Sequence, residues 1–170
     1  MYIAERVFRV NLGYINTSGT GNLNVTNSKQ VVKNYISTPG KNYGLLILAH
    51  GNNIPCFSMD RSQGDAQKIY TSDISGVWHF VFINACSVME TDKMAQAFQT
   101  VGYTKRVALG WSASVDGPAL KYWWGCYEKY AGKYGVSEAA VKAANDCIPT
   151  PYSTPIRAYG DKVNWNGKAW

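Results

Sequence analysis

Histidine is scarce in this chain, with two residues, at positions 50 and 79, and cysteine is hardly commoner, with four, at 56, 86, 126 and 147. The cysteines form neither CxxC nor Cys/His ligand spacing, which argues against a zinc centre, and no metal or cofactor is expected. If one thiol stays free for chemistry, three remain, and an odd number makes a poor disulfide framework. A Cys126–Cys147 bridge is open to the chain if the helices that carry them pack together. No apolar run approaches the about 20 residues of a membrane span. The net charge is +6, but the basic residues are scattered and form no run of the kind that binds nucleic acid. Lys121, Lys129 and Lys133 read as the wet side of a helix. No internal repeat, low-complexity tract or linker divides the sequence. With 46% apolar and 16% charged residues, disorder is excluded and residues 1–170 are expected to form a single domain.

Against that background two short stretches stand out: GLLILAHG, ending at His50-Gly51, and WHFVFINAC, ending at Cys86. Each is a run of apolar and β-branched residues that delivers one reactive side chain at its C-terminal end. In an open α/β sheet, ligands bind in the crevice outside the carboxyl ends of the strands. If the two strands are parallel neighbours, an imidazole and a thiol meet there, the minimum for thiol nucleophilic catalysis. The other histidine fails this test. His79 begins the strand that Cys86 ends, and seven residues at about 3.3 Å each put it ~23 Å away. Cys126 and Cys147 fall in helical segments, where a buried structural thiol is the plainer role. Cys56 follows His50 too closely to lie on a neighbouring strand and is expected in the next turn or hairpin.

Gly51 lacks a side chain, so its N–H can approach a substrate closely. With the N–H of Cys86 it forms a candidate oxyanion hole, although a glycine that merely lets the chain turn is a common alternative. Ala85 is small enough for close strand packing. Asn84 and Ser112 are candidate substrate contacts, and Thr91 is a candidate N-cap for the helix after Cys86.

Apolar residues then His-Gly, a spacer, and a second apolar run then Ala-Cys: this order resembles the superfamily of caspases, gingipains, clostripain, legumains and separases. The 36 positions from His50 to Cys86 resemble its compact bacterial members. So do RVALGWSASVD, the aromatic segment ALKYWWGCYEKY and GVSEAAVKAAND that follow. The resemblance covers roughly residues 40 to 147. It implies a three-layer caspase-like (caspase-hemoglobinase) fold and a cysteine endopeptidase acting on a peptide or protein substrate. Cys86 would be the nucleophile, His50 the general base or acid, and Gly51 and Cys86 the oxyanion donors, with no cofactor.

The string Asn84-Ala85-Cys86-Ser87-Val88 departs from the Gln-Ala-Cys-Arg/Gln-Gly of caspases, so a preference for aspartate is not implied. Relatives that cut after Arg or Lys use an acidic group in the specificity pocket, and Asp116 stands at a suitable position. Its other reading is a turn or N-cap aspartate before Gly117-Pro118. A caspase-fold module that binds or regulates with its catalytic groups unused is the alternative function, and a non-hydrolytic α/β domain a third.

Strands and helices alternate along the chain, which argues for α/β architecture with a mostly parallel sheet covered on both faces. Strands are expected at 6–15, 44–49, 78–85 and 106–111, with TSGTGNLNVTN as a polar loop after the first. Ser28 is a candidate cap for a helix carrying Val31, Val32, Tyr35 and Ile36, which Pro39-Gly40 stops. The connection 52–77 is expected to hold a hairpin around Cys56–Met59 and a helical turn from Asp65 to Tyr70, with Arg61 and Lys68 open to nicking. A helix carrying Met94, Ala95, Ala97, Phe98 and Val101 should end at Gly102. Pro118 suits the first turn of a helix burying Leu120, Trp123, Trp124 and Tyr127, and a spacing of i, i+4 marks these aromatics as core rather than a sugar-binding face. Ser137-Glu138 opens a further helix, and IRAYGDKVNW reads as a hairpin at the sheet edge. MYIAERVFRV lacks signal-peptide anatomy. The richness in Asn, Ser, Thr, Gly and Tyr resembles exported bacterial domains. Location therefore leans to secreted or cell-surface with a leader absent from this sequence, and otherwise cytoplasmic.

Overall fold

The computed structural model describes residues 29–37, 44–52, 54–58, 67–152 and 154–162. At its centre lie three short apolar strands, β1 (Gly44–Leu48), β5 (Phe80–Asn84) and β6 (Val107–Trp111). Runs such as FVFI and VALGW have no polar alternation because both of their faces are covered, the usual state of parallel strands. All of Phe80 to Ile83 and all of Val107 to Trp111 are buried. The strands pair in parallel, Gly44 opposite Phe80 through Leu48 opposite Asn84, and Phe80 opposite Val107 through Ile83 opposite Gly110. The fourth strand, β7 (Ile156–Gly160), adds antiparallel at the edge, giving the order β1-β5-β6-β7.

Helices cover both faces. On one, α3 (Gly117–Tyr134) and α4 (Val136–Cys147) bury Trp123, Tyr127 and six alanines against Phe82, Leu109 and Trp111. Trp123 is the hub: its ring centroid lies 5.4 Å from that of Phe82, 5.4 Å from that of Trp111 and 4.6 Å from that of Tyr127. Its indole N–H donates to the Ala140 carbonyl at 2.9 Å, a contact the small side chains of α4 permit. Burial drives the Tyr127 phenol well above its usual range, so it stays protonated. A disulfide joins Cys126 to Cys147, with Cα atoms 6.3 Å apart.

On the other face, α1 (Lys29–Ile36) and the short α2 (Lys93–Ala97) place Val32, Ile36, Met94 and Ala95 against Leu45, Ile47, Val81 and Ile83. The same side holds a small antiparallel sheet, β2 (His50–Gly51), β3 (Cys56–Ser58) and β4 (Lys68–Tyr70), whose Phe57 and Ile69 join this second core. The arrangement is therefore α/β with a mostly parallel sheet and helices on both faces, as the alternation of strand and helix predicts.

Several local expectations are corrected. Lys68–Tyr70 is a paired strand rather than part of a helical turn, and the helical turn falls at Thr71–Asp73. The alternation of Lys68, buried Ile69 and Tyr70 is a period of two, which a three-residue window barely displays. α2 ends at Ala97, not Gly102. The N–H and hydroxyl of Thr100 both donate to the Ala95 carbonyl at 3.0 Å, closing the helix early, and Gln99 takes a left-handed φ of 55°. Phe98 is still buried, so apolar spacing overran the backbone signal. Asp92, not Thr91, precedes α2, and its carboxylate accepts from the Gln96 side chain at 2.7 Å instead of capping the backbone. Ile156–Gly160, the first arm of the expected C-terminal hairpin, pairs with β6, and the segment expected to be the second arm lies outside the described residues. So do the strand 6–15, the loop 17–27, Ser28, Pro39-Gly40 and Arg61.

Candidate active site

The strand pair β1–β5 sets the geometry. Register offset along it is constant, from Gly44 opposite Phe80 to Leu48 opposite Asn84, and the separation of His50 and Cys86 in sequence continues that offset. The Ala49 N–H donates to the Asn84 carbonyl at 3.2 Å, extending the ladder one step past the strand. Beyond it His50 and Gly51 turn into the small sheet, opposite Ser58 and Phe57. A Cβ on Gly51 would collide with the carbonyl oxygen of Cys86 and lie 3.1 Å from both the Cys86 nitrogen and the Ala85 Cβ. Glycine is required here because the backbone of Cys86 occupies the space of a side chain. His50-Gly51 and Ala85-Cys86 are thus brought together at the carboxyl ends of two parallel strands.

Cys86 is half-buried and its thiol is free. It lies beside the backbone of Val115: the Val115 N–H donates to the sulfur at 3.5 Å, and the S–H donates to the Val115 carbonyl at 3.5 Å. Both are weak sulfur hydrogen bonds. His50 is exposed, and no hydrogen bond joins it to the thiol among the described residues. The Cys86 N–H has no acceptor among the described residues, leaving it as a donor beside Gly51.

The turn after Cys86 is held firmly. Ser87 adopts a left-handed φ of 55°, which costs a non-glycine residue about 1 kcal/mol. Its N–H donates to Ala113 O at 2.9 Å, and the Met89 N–H donates to Trp111 O at 3.0 Å, so the turn is bonded to the chain leaving β6. Val88 and Met89 fold onto Gly110, where a Cβ would meet the Met89 Cγ at 2.7 Å. Neither the left-handed Ser87 nor the Val115 contact carried a sequence signal, since both are backbone features of ordinary residue types.

The other candidates have structural partners. The Asn84 side-chain oxygen accepts the Trp111 indole N–H at 2.6 Å, tying the ends of β5 and β6 together. Ser112 is buried, and its hydroxyl donates to Pro155 O at 2.9 Å. Asp116 is the N-cap of α3, its carboxylate accepting the Ala119 N–H at 2.8 Å. It is exposed and directly follows Val115, whose backbone meets the thiol. His79 lies at the opposite end of β5, where its carbonyl accepts the Val107 N–H. Cys56 is buried in β3, and its thiol donates to Asn52 Oδ1 at 3.4 Å.

What the fold and site define is an α/β domain that presents a thiol, a neighbouring His-Gly and a free backbone donor at one end of its sheet. Among the described residues no group of His, Cys, Asp and Glu is placed to hold a metal ion, and no helix is long and apolar enough to cross a membrane. Compared with known proteins, the chain matches no family model, no curated protein and no solved structure.

Proposed function

We propose that this chain is a cysteine endopeptidase of the caspase and clostripain type, with a three-layer caspase-like fold. The observation that carries the reading is the close approach of Gly51 to the Cys86 backbone at the carboxyl ends of adjacent parallel strands. In this mechanism the Cys86 thiol passes its proton to His50, the resulting thiolate attacks a peptide carbonyl, and the N–H groups of Gly51 and Cys86 receive the oxyanion. Collapse of the tetrahedral intermediate breaks the C–N bond. His50 gives its proton to the leaving amine, and the acyl group stays on Cys86 as a thioester. Water then attacks the thioester, His50 takes its proton, and the acid product leaves as the thiol is restored. Asp116, exposed and next to Val115, would receive an Arg or Lys side chain before the scissile bond while it caps α3.

A second reading draws on a specific contact: the thiol is engaged by the Val115 backbone and not by His50. That arrangement suits a binding or regulatory module with an unused dyad, or a resting form whose 112–116 segment must shift before turnover.

A fluorogenic peptide panel varied at the residue before the scissile bond tests these readings, with Cys86→Ala and His50→Ala alongside. Turnover reduced at least ~10³-fold in both variants, with unfolding midpoints unchanged, is the expected result. Equal turnover in either variant removes the dyad. Silence across the panel, with Cys86 inert to an electrophilic peptide probe, favours the binding module.

A further inference from the structure

α3 buries Trp123 and Tyr127, and its opposite side borders an open groove of about 680 Å³. Gly117, Pro118, Lys121, Tyr122, Cys126 and Lys129 line it. Tyr122 is 50% exposed there, and both lysines are exposed. Neither lysine pairs with a carboxylate among the described residues. Two lysines without a carboxylate partner and an exposed tyrosine thus line the same groove. The groove opens at Gly117, two residues after the Val115 whose backbone touches the Cys86 thiol. The Cys126–Cys147 disulfide anchors its wall to α4, so the cations are carried on a braced helix.

We infer that this groove is an extended substrate subsite, taking a polypeptide segment with acidic side chains that lie beyond the scissile bond. The inference rests on the peptidase reading for what happens at Cys86, but the recognition it describes depends on charge and shape alone. Lys121 and Lys129 are eight residues apart on one face of a helix, about 12 Å at 1.5 Å per residue. An extended peptide advances about 3.3 Å per residue, so two acidic side chains about four positions apart match the two ammonium groups. Tyr122, next to Lys121 in the chain and half exposed, provides an apolar contact for the same peptide. Surface ion pairs are individually weak and screened by salt, so the groove contributes selectivity rather than tight binding.

The test uses the full chain carrying Cys86→Ala and two fluorescent peptides. These are identical except that one has two glutamates four positions apart where the other has glutamines. The expected outcome is binding of the glutamate peptide about threefold to tenfold tighter at ~0.05 M salt, vanishing near ~1 M salt. The preference should also vanish in the doubly substituted Lys121→Glu, Lys129→Glu chain. A thermal melt on that chain establishes that it is folded. Equal binding of the two peptides, or a preference that survives charge reversal, overturns the inference. Equally tight binding of an oligonucleotide of matched charge overturns it too, since the surface would then accept any polyanion. Turnover of the same peptides by the unsubstituted chain separates the two proposals. Cleavage without acidic preference removes the groove and leaves the peptidase; acidic preference in binding without cleavage does the reverse.

Discussion

On one face of the sheet α3 and α4 are stacked aromatic against alanine and joined by the Cys126–Cys147 disulfide. On the other, α1 is tied to the 71–78 connection by charge and hydrogen bonds. Lys29 and Lys33 reach Asp73 at 2.8 and 2.9 Å, and the Trp78 indole N–H donates to Ile36 O at 2.8 Å. Both ties brace a helix, yet one yields to a reductant and the other to acid or salt. The candidate dyad straddles this difference. Cys86 ends a central strand, and the turn after it is bonded to the chain leaving β6. His50 sits exposed on a two-residue strand of the small sheet, on the charge-clamped side. The candidate nucleophile follows a central strand and its candidate partner lies on a two-residue strand, and the thiol meets the Val115 backbone rather than the imidazole.

The largest stability effect should come from the covalent tie. Cys126→Ser with Cys147→Ser is expected to cost about 3 kcal/mol, given the sequence separation of 21 between the bridged positions, as measured by urea unfolding at neutral pH. Reductant should lower the unfolding midpoint of the parent chain but leave that of the double variant unmoved. Equal sensitivity in both would mean that the bridge does not brace α3 and α4.

Gly51→Ala strikes the seam between the two sides. The methyl would displace the Cys86 carbonyl, so stability should fall by about 2 kcal/mol. On the peptidase reading, turnover should also fall at least ~10²-fold, because the proposed oxyanion donor moves with the backbone. Unaltered turnover would separate the His-Gly turn from the chemistry.

The smallest effect belongs to the charge clamp. Partial burial works against ionising Asp73, but hydrogen bonds from the Lys29 ammonium, the Tyr70 N–H and the Lys33 ammonium outweigh it. They lower its carboxyl from 3.8 to about 2. A carboxylate lowered on folding contributes stability that is complete above its unfolded value and is lost as pH falls through its folded one. The clamp should therefore weaken between roughly pH 4 and pH 2, by about 1 kcal/mol once solvent screening of the half-exposed lysines is allowed for. Asp73→Asn should remove that dependence from unfolding curves measured between pH 2 and 6. A variant that still loses the same increment would assign it to other carboxylates.

Much of the architecture was legible because apolar runs and helix punctuation agree with the tertiary structure. Continuous runs gave β1, β5 and β6, and Asp116-Gly117-Pro118 marked the start of α3, whereas its end, expected near Gly132, falls at Tyr134 with Gly135 as the cap. The adjacency of His50-Gly51 to Ala85-Cys86 could be reasoned from two strand ends because parallel pairing converts similar positions into neighbours. Short elements escaped. Lys68–Tyr70 pairs only because β3 lies beside it, and α2 stops where Thr100 claims the Ala95 carbonyl. Within the site, Asn84 and Ser112 read as substrate contacts since only residue type was visible. Their bonds to Trp111 and Pro155 depend on strands distant in sequence.

The parallel register of β1 and β5 has a bearing on how the chain tolerates change in length. Ladder bonds, not the segment between Gly51 and His79, hold His50 level with Cys86. Residues added to that segment would alter the count from 50 to 86 and leave the meeting of the two strand ends intact. Doubling a flexible loop costs only about 0.6 kcal/mol in closure entropy. A single residue inserted inside Gly44–Leu48 would instead turn every later side chain of that strand to the opposite face and carry His50-Gly51 out of step with Ala85-Cys86. Length is thus fixed in the paired strands, β3 and β4 of the connection included, and freer between them, so insertion scanning would map the frame that holds the site.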